Sequence, residues 1–251
     1  MKLKNRRLMN IVYPIISLGL LVLVWFLVAK AVDIQLIVPR VGDTFSKLWR
    51  LLGENSFYLA LGGTLWRSLL SFFIALVLAI LLAIISNFIP VIYKLLTPIV
   101  TIIRAIPTMS VILLTIIWLN SDYSPLLITL FIIFPIMYSN FYTGITSVDS
   151  ELIEMSKAYN VRKKDMIFSL YLPNIAPSFF DTLQSAISLN VKIIISAEVL
   201  AQTKLSMGLM MKLSKGILDT SELLAWTIVA ILLSYFLENV IILIKKLVIR
   251  W

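Results

Sequence analysis

Three stretches of this 251-residue chain, residues 8–29, 68–93 and 123–148, run for 22, 26 and 26 residues without one charged side chain. An α-helix rises about 1.5 Å per residue, so each stretch is long enough to cross roughly 30 Å of hydrocarbon. The composition leaves little room for another reading. Hydrophobic residues make up 60% of the chain and charged residues 14%, whereas soluble domains run nearer half apolar and a quarter charged. Too little polar surface remains to cover the chain in water, and an all-α membrane protein is expected.

Three further spans carry charge or proline. One starts near Lys94 and ends near Trp118, interrupted by Pro98, Arg104 and Pro107. Another covers residues 175–200 and holds Asp181, Lys192 and Glu198, and the last covers residues 223–247. For residues 8–29 the rival is a cleaved signal peptide, because Ala29-Lys30-Ala31 loosely imitates a cleavage site. The apolar run exceeds the usual signal length and a lysine inside the site is unfavourable, so a retained span with a cytoplasmic N-terminus is expected. Six spans then put both termini inside. Twelve Lys and Arg residues fall in inner segments and seven in outer ones, with Arg67, Arg104 and Lys192 in or beside spans, which agrees with the positive-inside rule. The net charge of +9 is read as cationic inner loops rather than a nucleic-acid surface. Residues 43–52 fit a short amphipathic helix along the outer interface, with Phe45, Leu48, Leu51 and Leu52 on one face. The connector 203–221 is expected outside, with Ser206 open to impermeant reagents. Trp25, Trp66, Trp118 and Trp226 are read as interfacial anchors.

What is absent also narrows the chemistry. The chain has no cysteine and no histidine, which excludes thiol nucleophiles, Cys/His metal sites and a Ser-His-Asp triad. None of the eight glycines belongs to a Gly-x-x-x-x-Gly-Lys-Ser/Thr phosphate loop. No metal or cofactor is expected on this chain.

The inner loop at residues 149–172 is the most informative segment. Asp149, Ser150 and Glu151 suit a helix start, where oxygens satisfy free N–H groups and negative charge meets the dipole. Leu152, Ile153, Met155, Ser156 and Tyr159 give a partly apolar helical surface. Asn160 stands where a left-handed residue ends a helix. A second amphipathic helix is expected to reach Leu172, with Pro173 and Pro177 opening the next span. By periodicity alone an ordinary interfacial cap between two spans is the favoured reading.

At these residues the chain resembles the permease subunits of bacterial ABC importers, whose loop carries Glu-Ala-Ala, a later glycine and Leu-Pro. Here Glu154-Met155-Ser156, Asn160 and Leu172-Pro173 stand at those places, with two of the three leading residues and the glycine replaced. Val38-Pro39, Ser68-Leu69, Arg104-Ala105-Ile106-Pro107, Phe134-Pro135-Ile136, Pro173-x-x-x-Pro177, Ala197-Glu198 and Arg250-Trp251 are similar to the nitrate/sulfonate/taurine-type branch. The resemblance implies a type I importer permease fold of six transmembrane helices: an N-terminal transmembrane helix at residues 1–37 and a permease core at 38–251. It implies an inner-membrane subunit that forms the pore as a dimer of two copies, with two cytoplasmic ATPase subunits and an external solute-binding protein or lipoprotein. ATP and magnesium would sit on the ATPase, so this chain is not itself an enzyme. Glu151, Leu152, Ile153, Glu154, Met155, Ser156, Ala158 and Asn160 would form the helix that couples to the ATPase. The substrate would be a small organic or inorganic solute.

Charges within spans are costly and point to function. Asp181, Ser185, Ser188, Lys192 and Ser196 keep to one face of the fifth span. They either line a translocation path or pack against other helices. Glu198, on another face near the outer end, suits a gate or a contact with the binding protein. Arg104 is a path residue or a partner for an acid such as Asp181. Glu238 is expected to fix the inner end of the last span. Two other classes remain: an ion-coupled carrier or channel with Asp181, Lys192 and Glu198 as a relay, or a membrane enzyme with an unusual site.

Overall fold

A computed structural model describes the backbone of residues 2–249 and the side chains of residues 12–249. Arg250, Trp251 and the side chains of Lys2, Lys4, Arg6 and Arg7 lie outside the described residues. Among the described residues the regular elements are all helical: α1 (Lys2–Val32), α2 (Val41–Leu52), α3 (Asn55–Phe88), α4 (Pro90–Ala105), α5 (Thr108–Trp118), α6 (Ser124–Thr146), α7 (Ser150–Ala158), α8 (Lys163–Met166), a π turn (Ile167–Tyr171), α9 (Leu172–Ala201), α10 (Met207–Gly216) and α11 (Thr220–Val248).

Five helical segments are long and apolar enough to cross a membrane, and α4 with α5, bent by 95° to each other, makes up to six if the pair counts as one span. The interrupted third span is therefore a broken pair. Its break falls at Pro107, which has no N–H to continue α4 and forces Ile106 out of the helical region, to φ −67° and ψ 127°. Pro98 is tolerated inside α4. At about 1.5 Å per residue, neither the 16 residues of α4 nor the 11 of α5 crosses the hydrocarbon alone.

The chain divides into two compact units. The first comprises Met1–Tyr58 and Met210–Val229. In it, Trp25 Nε1 donates to the Pro39 carbonyl at 3.0 Å, tying α1 to the segment that leads into α2. The single apolar face expected for residues 43–52 is split. Thr44 and Leu51 are buried and Leu48 half-buried, while Phe45, Trp49 and Leu52 point outward. Lys47 makes an ion pair with Asp219, and Arg50 Nη2 reaches Glu222 at 3.1 Å. Burial alone would raise the Asp219 pKa. The hydrogen bonds from Lys47 and the Glu222 N–H, with the charges of Lys47 and Arg50, outweigh that and hold the carboxyl below its ordinary range. Trp226 is buried and stacked on Phe57 at 5.3 Å, so it is a packing residue and not an interfacial anchor.

The second unit comprises Leu59–Leu209 and Ala230–Trp251. Here α3 presents Thr64, Ser68, Ala75, Ala79 and Ala83, each without exposed surface, along one side. Lipid tails are as apolar as leucine, so helices in a bilayer gain from close approach and from hydrogen bonds, which small residues permit. Asn190 of α9 uses this face: its Nδ2 donates to the Ser68 carbonyl and to Ser68 Oγ, both at 2.8 Å. Ser71 Oγ donates back to Asn190 Oδ1 at 3.2 Å. Helices α6 and α9 meet through stacked Phe141 and Phe179, 4.9 Å apart. At Gly144 a Cβ would stand 3.1 Å from Ser178 Oγ. The second loop helix does not stop before the prolines. From Lys163 to Ala201 the helix is continuous through the π turn, where Leu172 N–H donates to Ile167. A widened turn of this kind is a common way to relieve a helix around proline.

Candidate functional site

The 149–172 loop opens with a short helix, α7, between two caps. Asp149 Oδ1 accepts from the Glu151 N–H at 2.9 Å and starts α7. At the other end Asn160 takes φ 52°. Asn160 N–H donates to Lys157 and Val161 N–H to Ser156, both at 3.0 Å. These two bonds around a left-handed residue make a Schellman stop, and asparagine serves in place of glycine because its short polar side chain tolerates that conformation. Ile153 and Ser156 are half-buried, so they face the rest of their unit. Glu151, Glu154 and Ala158 are exposed, as are the apolar Leu152 (38%), Met155 (53%) and Tyr159 (78%). Spaced i, i+3 and i+7, those three form one outward stripe.

On α9, Asp181, Ser185, Lys192 and Ser196 are exposed and Ser188 is half-buried, so the polar face predicted for this span does point away from the core. Ser185, Ser188 and Lys192 share an open cleft of about 290 Å³ with Gln184, Leu189 and Glu238. Ser188 Oγ also bonds Ser234 Oγ at 3.1 Å, joining α9 to α11. Lys192 makes no ion pair among the described residues. Asp181 pairs with Lys245 at 2.6 Å. Arg104 is therefore not its partner. Arg104 borders a separate cavity of about 160 Å³ beside Phe131 and Pro135.

Glu198 lies apart from this face. Its side chain is fully buried, accepting from Thr64 Oγ1 and Arg67 Nε at 2.8 Å and from the Gly208 N–H at 3.3 Å. Arg67 also donates to the Leu205 carbonyl at 2.9 Å. Thr64 Oγ1 accepts from the Met207 N–H at 2.9 Å. Glycine is required at two points: a Cβ on Gly63 would stand 2.1 Å from the Leu205 carbonyl oxygen, and one on Gly208 2.5 Å from Glu198 Cβ. The sequence carried a signal for this clasp, an acid deep in one span and an arginine at the edge of another, but periodicity does not pair residues 131 positions apart. Ser206 belongs to the same cluster and is buried, donating to the Thr203 carbonyl at 2.6 Å. Lys204, two residues before it, is exposed.

A family profile described as the inner membrane component of binding-protein-dependent transport systems matches residues 75–250. The permease protein SsuC of Escherichia coli, named for aliphatic sulfonate transport, is 27% identical over 160 residues, covering 63% of this chain and 60% of that relative. The match thus spans less than two thirds of the relative's length. A protein of Methanocaldococcus jannaschii named as an ABC transporter permease is 22% identical over 227 residues, 88% of this chain and 85% of the relative. Among solved structures, a chain of the MetNI methionine ABC transporter in an inward-facing conformation superposes with a TM-score of 0.62 at 14% identity, covering 78% of this chain and 98% of that one. A chain of a bacterial ABC transporter that imports alginate gives 0.57 at 17% identity, covering 94% and 98%. At such identities the structures establish the fold, that of type I importer permeases.

Proposed function

Because the chain belongs to the family of inner membrane components of binding-protein-dependent transport systems, we propose that it is the translocation subunit of an ATP-driven importer. Two copies form the pathway, an external binding protein delivers the solute, and two ATPase subunits bind on the cytoplasmic side. The observation that carries the coupling role is α7: a helix capped at both ends with Leu152, Met155 and Tyr159 exposed. Apolar side chains presented by a loop between spans call for a protein cover. Seated in an ATPase groove, such a helix passes ATPase closure to the spans as a rigid-body displacement. Nucleotide and magnesium stay on the ATPase.

The solute is a small anion-bearing compound of the sulfonate kind, which the relative's name supports. Lys192, exposed to the α9 cleft without an acid partner among the described residues, is the cation that meets it, with Ser185 and Ser188 as hydrogen-bonding neighbours. Asp181 and Ser196 extend the same exposed face of α9, Arg104 belongs to the route from its own separate cavity, and Glu198 fixes the outer end from inside the clasp. An ion relay through Asp181, Lys192 and Glu198 has less support, because Asp181 is taken by Lys245 and Glu198 by Arg67.

Both termini are cytoplasmic in this reading. In the cysteine-free chain, Lys204→Cys is expected to react with an impermeant maleimide in intact cells, while Lys157→Cys reacts only after permeabilisation. The ATPase is expected to copurify with the chain. The reverse labelling pattern, or purification without any ATPase, would overturn the assignment.

A further inference from the structure

We propose that the apolar groove where the loop joins the fifth span holds one anionic phospholipid of the surrounding bilayer, its acyl chain in the groove and its phosphate against Lys163 and Lys164. The groove has a volume of about 370 Å³, and Ile84, Phe141, Ile167, Tyr171, Ala176 and Phe179 are among its walls. Water inside it would find almost no hydrogen-bonding partner, so hydrocarbon is the matching occupant. The position of the charges decides which amphiphile. Ile167 and Tyr171 line the groove from the π turn, and Lys163 and Lys164 lie three to four and seven to eight residues before them in the same continuous helix. That spacing places the lysines on the groove side, one turn beyond its end. Both are exposed and neither is in an ion pair among the described residues. The adjacent Arg162, by contrast, is taken by Asp165 at 2.8 Å. Two uncompensated cations at the rim of an apolar slot in a membrane protein select a lipid with a negative headgroup.

The same groove wall contains the π turn, the joint between the loop and α9. A lipid seated there braces the joint through which loop movement reaches the span. This consequence rests on the coupling role proposed above, whereas lipid binding does not.

The test uses the purified permease complex in nanodiscs that contain photoactivatable phosphatidylglycerol or photoactivatable phosphatidylcholine with the label on the acyl chain, and maps the adducts by mass spectrometry. Adducts within residues 167–179 are expected to favour phosphatidylglycerol on the order of ten-fold. Lys163→Gln with Lys164→Gln, both on the exposed surface, should remove that preference. Ala176→Trp should lower labelling by both lipids. Equal labelling by the two lipids in the unaltered protein, or a preference untouched by the double lysine variant, would overturn the proposal. So would adducts confined to other segments. ATPase copurification is read from the same preparations: its loss with lipid labelling intact counts against the coupling role and leaves the lipid site standing.

Discussion

Replacing Arg67 by methionine tests whether the clasp holds the fold in this part of the chain. The substitution keeps most of the aliphatic stem and removes the guanidinium. Glu198, with no exposed side-chain surface, then loses the 2.8 Å partner that balances its charge, and the Leu205 carbonyl loses its 2.9 Å donor. Removing one member of a buried ion pair costs about 3–5 kcal/mol. Thr64 and Gly208 still donate to Glu198, and Arg67 is 13% exposed, so the lower end applies, roughly 3 kcal/mol. Glu198→Gln alone should cost less, about 1–2 kcal/mol, because the amide oxygen still accepts from Thr64 and the guanidinium keeps a path to solvent. The double variant removes the stranded charge, so its cost should fall short of the sum by about 2 kcal/mol, within the range found for directly interacting pairs. Denaturation of the purified protein in mixed micelles, followed by tryptophan fluorescence, reads all three. Additive effects, or an Arg67→Met cost under about 1 kcal/mol, would refute the reasoning.

Gly208→Ala places a Cβ 2.6 Å from the Val199 nitrogen and 2.7 Å from the Ile195 carbonyl oxygen. These are backbone atoms that cannot swing aside, and a loss of about 1–3 kcal/mol is expected in the same assay. The Asp219 carboxyl has its pKa lowered from an ordinary 3.8, so the stability it contributes is fully present above that value. It is lost as pH falls through the depressed folded-state value, and acid titration of unfolding should show a component that Asp219→Asn removes. Lys192→Met is expected to reduce solute uptake at least several-fold while leaving ATPase copurification and the unfolding midpoint near those of the unaltered protein. Equal uptake by the variant would remove Lys192 from the pathway.

Uncharged runs and helix-stop chemistry made much of the architecture legible in the sequence. Residues 8–29 fall within α1, the run 68–93 lies in α3 up to Phe88 and crosses a break at Ile89 into α4, and the run 123–148 contains α6. Asp149 and Asn160 cap α7 because each supplies the oxygen or the left-handed backbone a helix end needs. Reading faces went less well. The apolar residues of α2 serve two directions, and a 3.6-residue period does not separate Leu51, turned inward, from Phe45 and Leu52, turned outward. In the 203–221 connector, lysines, serines and glycines interrupt the apolar residues and conceal α10. The local sequence gives no sign that Ser206 is buried, because tertiary packing decides that burial. The charged pairs were the hardest to foresee. Helical spacing puts Lys192 and Asp181 on one face of α9 without saying what that face meets, and the partners Lys245 of Asp181 and Arg67 of Glu198 come from helices whose contacts only tertiary packing decides.

The most direct test of the account is energy transfer through α7. Vesicles are reconstituted with the permease, its ATPase and the solute-loaded binding protein, and ATP hydrolysis and uptake are measured together. The unaltered protein should couple uptake to hydrolysis. Ala158→Trp, which would overfill the proposed ATPase contact at a cost of about 1–3 kcal/mol, and Glu154→Lys, which inverts an exposed charge, should leave membrane insertion intact but lose ATPase attachment, uptake or both. Normal attachment with normal coupled hydrolysis in both variants would contradict the account and reduce the loop to a cap between two spans.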